Sequence, residues 1–302
     1  MNKLSILIVN WNGSRFLDDC LHSIREKVSV PYEVIVVDNN STDGSQDAIA
    51  ELYPWVKLIR SDDNLGFGRG NNLAAQHATG DVFLLLNLDT VLLLDPTPIA
   101  SALIDDPAIG CIGAKMCNES GEEVVNCGHF PTPLRLLLFT SMFWKPYQEP
   151  YGPPGLHAQC VDWVEGSWML IRREAWDKVG GFDERIFLYG EDVDLCKDLT
   201  DLGLKVLHAS TLAYRHYTGW SVHRLPYQFA SFRFYHQKHS AHLQRTLAEA
   251  VLYLGLKVRL LCFGFLSLLT RQERYSEKIT ALRNVDRSWG RFDEPDFGVS
   301  SR

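Results

Sequence analysis

The sequence predicts an α/β fold with a mostly parallel central sheet, flanking helices and a C-terminal helical extension. Four short apolar runs near the N-terminus predict the strands, and each is followed by polar or Gly-rich residues and then by a helical pattern. This alternation is typical of a parallel sheet that helices cover on both faces. The four runs are residues 4–9, 33–37, 56–59 and 82–86.

The order of the predicted elements divides the chain into two regions. Residues 115–160 interrupt the alternation with six prolines and predict a long excursion near the ligand cleft. After it, strands are predicted at 168–171 and 205–208 and helices at 173–179 and 191–202, whereas only helical patterns follow Pro226. We therefore predict an α/β domain over residues 1–225 and a helical region over 226–302.

Composition excludes several classes of protein. A chain of 302 residues with 46% hydrophobic content can fill an ordinary core, which excludes a disordered tail. The net charge of −7 provides no overall basic field for a nucleic acid backbone, so we expect no nucleic acid partner. An anionic ligand must instead be bound locally, for example through a metal ion.

Cysteine usage and the N-terminus predict a cytoplasmic protein. The seven cysteines are an odd number at irregular spacing, which favours free thiols in a reducing compartment over a disulfide framework. The apolar run at residues 4–9 is too short for the core of a signal peptide.

Polar clusters follow three of the predicted strands, at Asn10-Trp11-Asn12, Asp38-Asn39-Asn40 and Asn87-Leu88-Asp89. Open α/β sheets bind ligands beyond the carboxyl ends of their strands, so these clusters predict a site at one edge. Asp89 can hold a hard cation against a diphosphate, or it can stabilise a turn. Asp38 can accept hydrogen bonds from a nucleoside, or it can form an Asx-turn.

A second group of carboxylates and a histidine are further candidates. Glu191-Asp192-Val193-Asp194 opens a predicted helix, where acids serve either as capping residues or in proton transfer. His216 follows a strand-like segment, where an imidazole can complete a metal shell or simply pack.

The glycines at 66 and 68 match the start of a dinucleotide-binding motif, but the match ends there. Asn71 occupies the third glycine position, and the segment follows the third strand rather than the first. A nicotinamide-dependent oxidoreductase is therefore disfavoured, and Arg69 in this segment is a candidate for neutralising a diphosphate.

Together, the motifs over residues 4–221 resemble those of family 2 glycosyltransferases in order and spacing. The Asn87-x-Asp89 motif, the Val161-Asp162-Trp163 segment before Gly166-Ser167, and the segment FLYGEDVDL at 187–195 resemble the bacterial rhamnosyltransferase subgroup. The family motifs are SILIVNWNG (5–13), VVDNNSTDGS (36–45), NLGF (64–67), LLNLDT (85–90) and GGFDE (180–184).

The resemblance implies a GT-A fold, a nucleotide-sugar donor, a divalent cation (Mg²⁺ or Mn²⁺) and inversion at the anomeric carbon. Asp192, of the Glu191–Asp192 pair, would be the general base, and Asp89 with His216 would hold the metal. Asn87 replaces an aspartate found in many relatives, and Asn71 replaces an arginine for which Arg69 would substitute. The residues assigned to the donor are Asn10, Trp11, Asp38, Arg69, Asn72 and Asn87.

We therefore expect transfer of rhamnose, from dTDP-rhamnose, to a hydroxyl of a lipid-linked polysaccharide acceptor. A UDP-sugar donor and a non-catalytic carbohydrate-binding relative are the alternatives. Residues 260–269 carry no charge and are too short to span a bilayer. They predict peripheral contact with the inner face of the cytoplasmic membrane, or else packing against the catalytic domain or a second subunit.

Overall fold

The computed structural model describes residues 3–138, 150–151, 157–217, 225–270 and 273–289. Within these residues the chain forms two compact units, and the division is not a single cut in the sequence. The first unit contains residues 3–130, 150–151, 157–184 and 191–217. The second contains 131–138, 185–190, 225–270 and 273–289.

The four predicted N-terminal strands are present and parallel, in the order β3-β2-β1-β4. β1, β2 and β4 are mostly apolar because interior strands covered on both faces bury both sets of side chains, whereas β3 lies at the sheet edge and exposes Lys57 and Arg60. The register pairs Asn10 with Asp38, which places two of the predicted polar clusters side by side. The elements are β1 Leu4–Asn10, α1 Leu17–Lys27, β2 Tyr32–Asp38, α2 Ser45–Leu52, β3 Val56–Arg60, α3 Gly66–Gln76 and β4 Val82–Leu86.

The rest of the first unit continues the sheet with mixed strand directions. Its elements are β5 Thr90–Leu92, α4 Thr97–Asp105, β6 Ile109–Cys117, β7 Glu123–Val124, β8 Cys127–Gly128, β9 Pro150–Tyr151, β10 Ala158–Val161, β11 Trp163–Val164, β12 Trp168–Arg172, α6 Arg173–Val179, α7 Glu191–Asp201 and β13 Lys205–His216.

Strand β12 is the main departure from a parallel sheet. It lies between β4 and β6 and is antiparallel to both. Strand β13 is parallel to β6 but antiparallel to β10 and β5. The α/β class is thus confirmed, whereas the sheet is parallel in its N-terminal half and mixed beyond it.

Strand β13 is longer than predicted and reaches the candidate site. The sequence predicts a strand at 205–208 and a separate strand-like segment ending at Tyr214, whereas the structure has one strand of 12 residues. Its register with β6 shifts between Ala209 and Ala213. This irregularity hides the strand alternation in the sequence.

The second unit is helical, as the pattern after Pro226 predicts. Helices α8 Leu225–His239, α9 His242–Thr270 and α10 Glu273–Ser288 share a core with the short helix α5 Pro133–Leu138. Leu136, Phe229, Leu252, Leu256 and Leu282 are buried in that core. All seven cysteines are unpaired, which agrees with the expectation of free thiols.

Candidate active site

The ends of β1 and β2 are joined by a buried polar network around Asn10. The amide nitrogen of Asn10 donates to Asp38 Oδ1 (2.6 Å), Ser45 Oγ (2.8 Å) and Ser41 Oγ (3.2 Å). Asp38 Oδ2 accepts a hydrogen bond from the backbone N–H of Ser41 (3.0 Å). Both Asn10 and Asp38 are fully buried. In this structure they hold the two loops together. Asp38 accepts the turn hydrogen bond from Ser41, and its binding of a nucleoside stays a prediction.

Trp11 is 58% exposed, whereas the preceding residue, Asn10, is fully buried. The loops on either side of it are locked, since Asn12 Oδ1 accepts a hydrogen bond from the backbone N–H of Thr42 (2.8 Å). Asn12 and Asn40 adopt positive φ angles of 52° and 59°, which asparagine tolerates better than most residues. An exposed indole on a rigid loop can stack on a nucleoside base.

The two residues predicted to bind a metal are adjacent. Nε2 of His216 lies 3.1 Å from Oδ1 of Asp89. Pairing of β5 with the end of β13 places Thr90 opposite His216, and Tyr217 N–H donates to the Asp89 carbonyl oxygen (2.9 Å). His216 is buried, whereas Asp89 keeps 18% of its side-chain surface exposed.

An acidic oxygen and an imidazole nitrogen are both suitable metal donors, and Mg²⁺ is commonly held by one or two carboxylates together with substrate phosphates. The described residues contain no group of three or more His, Cys, Asp and Glu side chains arranged to hold a metal ion. The pair therefore fits a divalent cation whose remaining ligands come from the substrate.

Asp192, in the first turn of α7, has both carboxylate oxygens bound to backbone donors. Oδ2 accepts from Gly166 N–H (3.1 Å) and Oδ1 from Val193 N–H (2.8 Å). Burial, and then the charge of Glu165, raise the pKa of Asp192 to about 6. Gly166 permits the close approach of Phe67, since a Cβ on residue 166 would lie 3.1 Å from the Phe67 ring. A carboxylate with such a pKa is well matched to accept a proton near neutral pH.

Glu191 precedes Asp192 but is in a different environment. It is buried, and among the described residues its Oε2 has no hydrogen-bond partner. Burial first, and then the charge of Asp192, raise the pKa of Glu191 well above its usual range. Burial therefore favours the protonated form of Glu191 more than it would in an exposed glutamate.

Glu165 is a neighbour of this acidic pair that the sequence reasoning missed. Its charge contributes to the raised pKa values of both Glu191 and Asp192. The only signal in the sequence is its position directly before Gly166-Ser167, inside a segment quoted for the subgroup resemblance.

Asn72 and Arg69 bind the loop that follows α6. Asn72 Nδ2 donates to the carbonyl oxygen of Phe182 (2.9 Å), and Asn72 Oδ1 accepts from the N–H of the same residue (2.9 Å). Arg69 is exposed, and its Nε donates to the Glu184 carbonyl oxygen (2.8 Å). In this arrangement the Asn72 amide clamps a loop, and its predicted place in donor binding stays a prediction.

Asn87 is fixed through its backbone to a second buried network. Its N–H donates to the Ser167 carbonyl oxygen (3.0 Å), and Ser167 Oγ lies 2.6 Å from the hydroxyl of Tyr214. Asn126 donates to the same hydroxyl (3.2 Å). This network connects the end of β4 to β12 and β13. Of its three side chains, Ser167, Tyr214 and Asn126, only Ser167 lies in a motif that the sequence singled out.

Comparison with known proteins identifies the family. The model of "Glycosyl transferase family 2" matches residues 5–167, which contain β1 to β4 and the Asn87-Leu88-Asp89 motif. The chain belongs to glycosyl transferase family 2. It is 30% identical, over 74% of this chain and 78% of the other, to the N-acetylglucosaminyl-diphospho-decaprenol L-rhamnosyltransferase of Mycobacterium tuberculosis. It is 24% identical, over 70% and 82%, to the rhamnosyltransferase WbbL of Escherichia coli K12.

Solved structures of glycosyltransferases share the fold of this family 2 protein. GalNAc-T7 with UDP, GalNAc and Mn²⁺ matches 78% of this chain and 48% of its own, with a TM-score of 0.60 and 18% identity. The mannosyltransferase PcManGT of Pyrobaculum calidifontis, in complex with GDP-Man and Mn²⁺, matches 94% and 86%, with a TM-score of 0.57 and 17% identity. The predicted GT-A fold is confirmed, and the protein is rhamnosyltransferase-like in sequence.

Proposed function

We propose that this family 2 glycosyltransferase moves rhamnose, with inversion, from dTDP-rhamnose to a hydroxyl of a lipid-linked glycan. The observation that carries the proposal is the half-buried Asp192 carboxylate, whose pKa of about 6 suits a general base. Similarity to a rhamnosyltransferase whose name includes a decaprenol diphosphate acceptor supports this choice of donor and acceptor.

The transfer is a single displacement at the anomeric carbon. The acceptor oxygen forms a bond to this carbon while the bond to the diphosphate oxygen breaks, and nucleoside diphosphate leaves. The hydroxyl proton passes to the Asp192 carboxylate, which becomes neutral. Backbone N–H groups of Gly166 and Val193 orient that carboxylate before the reaction. Burial of Glu191 favours its protonated form, which makes this residue less available as the base.

Donor binding is assigned to the loops at the carboxyl ends of β1, β2 and β4. The exposed indole of Trp11 stacks on the base, and the buried Asn10–Asp38 pair keeps its loop in place. Asn87 presents its side chain at the end of β4, and Arg69 contributes positive charge toward the diphosphate. Asn72 acts by holding the loop that also binds Arg69.

Asp89 and His216 would hold a divalent cation, Mg²⁺ or Mn²⁺. Two of the solved glycosyltransferases of similar fold were determined with Mn²⁺, which supports this assignment. Such a cation, when bound, offsets the negative charge that accumulates on the departing diphosphate. We further propose that the transferase domain lies within residues 1–225 and that residues 226–302 belong to a separate helical region, in a protein of the cytoplasm. The second compact unit also takes in residues 131–138 and 185–190.

A screen of donors tests the proposal. Purified protein is incubated with Mg²⁺ or Mn²⁺, polyprenyl-diphosphate-linked N-acetylglucosamine and one donor at a time, and released nucleoside diphosphate is measured. We expect acceptor-dependent release of dTDP from dTDP-rhamnose. Release only from UDP-galactose or UDP-N-acetylglucosamine would support the alternative donor class. Nucleotide binding without release from any donor would support a non-catalytic relative.

A further inference from the structure

Helix α9 carries an exposed stripe of apolar side chains along its length. Their spacing of three, four or seven positions places them on one side of the helix. The stripe extends over about 38 Å at 1.5 Å per residue. We call it the α9 apolar face; it consists of Leu243, Leu247, Leu254, Val258, Leu261, Phe265 and Leu268, which are between 47% and 81% exposed.

Arg245, Glu249 and Arg259 lie on the other sides of α9, whereas Lys257 lies at the border of the apolar face, three residues after Leu254 and four before Leu261. Lys257 forms an ion pair with Asp286 of α10 (2.6 Å), and Arg245 pairs with Glu249 on α9 itself (3.3 Å). The Arg259 guanidinium lies 5.8 Å from the centre of the Phe229 ring of α8. A surface helix of a soluble protein normally has the opposite arrangement, with its polar side toward water. The exposed side of α9 is therefore suited to an apolar environment.

Basic and aromatic groups border this face. The Lys257 ammonium lies 4.9 Å from the ring centre of Tyr253, which directly precedes Leu254 on α9. Tyr253 is 40% exposed and packs against Trp289. Tyrosine and tryptophan beside cationic side chains are characteristic of the boundary between hydrocarbon and lipid headgroups.

The helical segment of residues 225–289 has a net charge opposite in sign to that of the whole chain. Residues 225–289 contain ten lysines and arginines and four aspartates and glutamates, whereas the chain has a net charge of −7. A cationic segment beside an apolar face is complementary to a bilayer with anionic headgroups. A second copy of the chain would bring a second cationic segment to the same face, which is electrostatically less favourable.

By length and composition, α9 is the single helix among the described residues that could cross a bilayer, with a mean hydropathy of 1.8 in its most apolar window. Its packing within the second unit opposes that role. A spanning α9 would carry the Lys257–Asp286 pair and the half-buried Arg259 toward the hydrocarbon, where charges are costly. A helix lying parallel to the membrane keeps these groups on its wet side.

We propose that the α9 apolar face docks this protein, in the plane of the interface, on an anionic lipid bilayer. This proposal rests on the proposed function in one respect: docking on a bilayer brings the enzyme to its acceptor because that acceptor is lipid-linked. The apolar side chains enter the boundary between headgroups and acyl chains, and Lys257, at the border of the face, contacts the headgroups.

Vesicle flotation of the full-length protein tests this inference. We expect flotation with vesicles of phosphatidylcholine and phosphatidylglycerol, and much less with pure phosphatidylcholine or in high salt. The double variant Leu261→Gln/Leu268→Gln removes two large apolar groups from the face and should lower binding about tenfold or more. The control variant Leu52→Gln/Leu202→Gln changes two exposed leucines outside α9 and should float like the parent.

Two results would overturn the inference. One is a parent protein that stays at the bottom with anionic vesicles; the other is an α9 variant that floats as well as the parent. If the parent is dimeric by light scattering, does not float, and becomes monomeric in the α9 variant, the face binds a second copy instead. Nucleotide release in solution is measured separately. Release without flotation would contradict only the docking on a bilayer, and flotation without release would contradict only the proposed function.

Discussion

Glu191 and Asp192 are consecutive carboxylates with opposite hydrogen-bonding environments. Asp192 accepts two backbone N–H groups, whereas Glu191 Oε2 is buried and has no partner among the described residues. Hydrogen bonds to a carboxylate favour its charged form, and burial without them favours the neutral form. One member of the pair is thereby suited to accept a proton and the other to remain protonated.

The first prediction concerns the base. Asp192→Asn keeps the shape of the side chain but cannot accept the hydroxyl proton, so the rate of transfer should fall by about 10²–10⁴. Donor affinity should change little. Steady-state kinetics and nucleotide titration measure the two quantities, with Glu191→Gln as the matched control. A loss of activity in Glu191→Gln but not in Asp192→Asn would show that Glu191, rather than Asp192, is the base.

The second prediction concerns pH. The base must be ionised, so kcat/KM should fall as the pH decreases through about 6, the pKa of Asp192, and should be constant just above it. Because the charge of Glu165 raises this pKa, Glu165→Gln should shift the midpoint to lower pH. A midpoint that stays in place, or moves upward, would show that Glu165 does not act on the base.

The third prediction concerns the metal pair. Asp89→Ala removes the acidic ligand and should abolish transfer together with its dependence on Mg²⁺ or Mn²⁺. His216→Ala should weaken Mn²⁺ binding in the presence of nucleoside diphosphate, measured by calorimetry. Circular dichroism checks the fold, and Asp62→Ala, an exposed carboxylate, serves as the control. Parental turnover with unchanged metal dependence in Asp89→Ala would refute the assignment.

The fourth prediction concerns the loop clamp. Asn72→Ala removes both side-chain hydrogen bonds to the backbone of Phe182 and should lower the free energy of unfolding by about 1–3 kcal/mol. Urea denaturation measures the loss. If Asn72 acts only through the loop, kcat should fall while the pH midpoint set by Asp192 remains unchanged. An unaltered unfolding midpoint combined with weaker donor binding would favour direct contact between Asn72 and the donor.

The secondary structure of the first unit follows closely from its sequence. The four N-terminal strands were predicted to within a few residues because β1, β2 and β4 lie in the sheet interior and are mostly apolar. β3, at the sheet edge, still has apolar residues at three of its five positions. The resemblance of motifs was sufficient to predict the family, which the family model confirms over residues 5–167. Strand β12 was placed correctly along the chain, but its antiparallel direction depends on long-range connections.

Local pattern and composition alone determined three things: the α/β class, the helical C-terminal region and the candidate carboxylates at the ends of strands. Tertiary structure decided what those carboxylates contact. His216 meets Asp89 across 127 positions, and Asn72 meets Phe182 across 110. Hydrophobic periodicity reports only which face of an element is buried. Partners this far apart are set by strand pairing and loop packing. In the structure Asn72 binds the backbone of Phe182, and the buried Asp38 carboxylate accepts a turn hydrogen bond from Ser41.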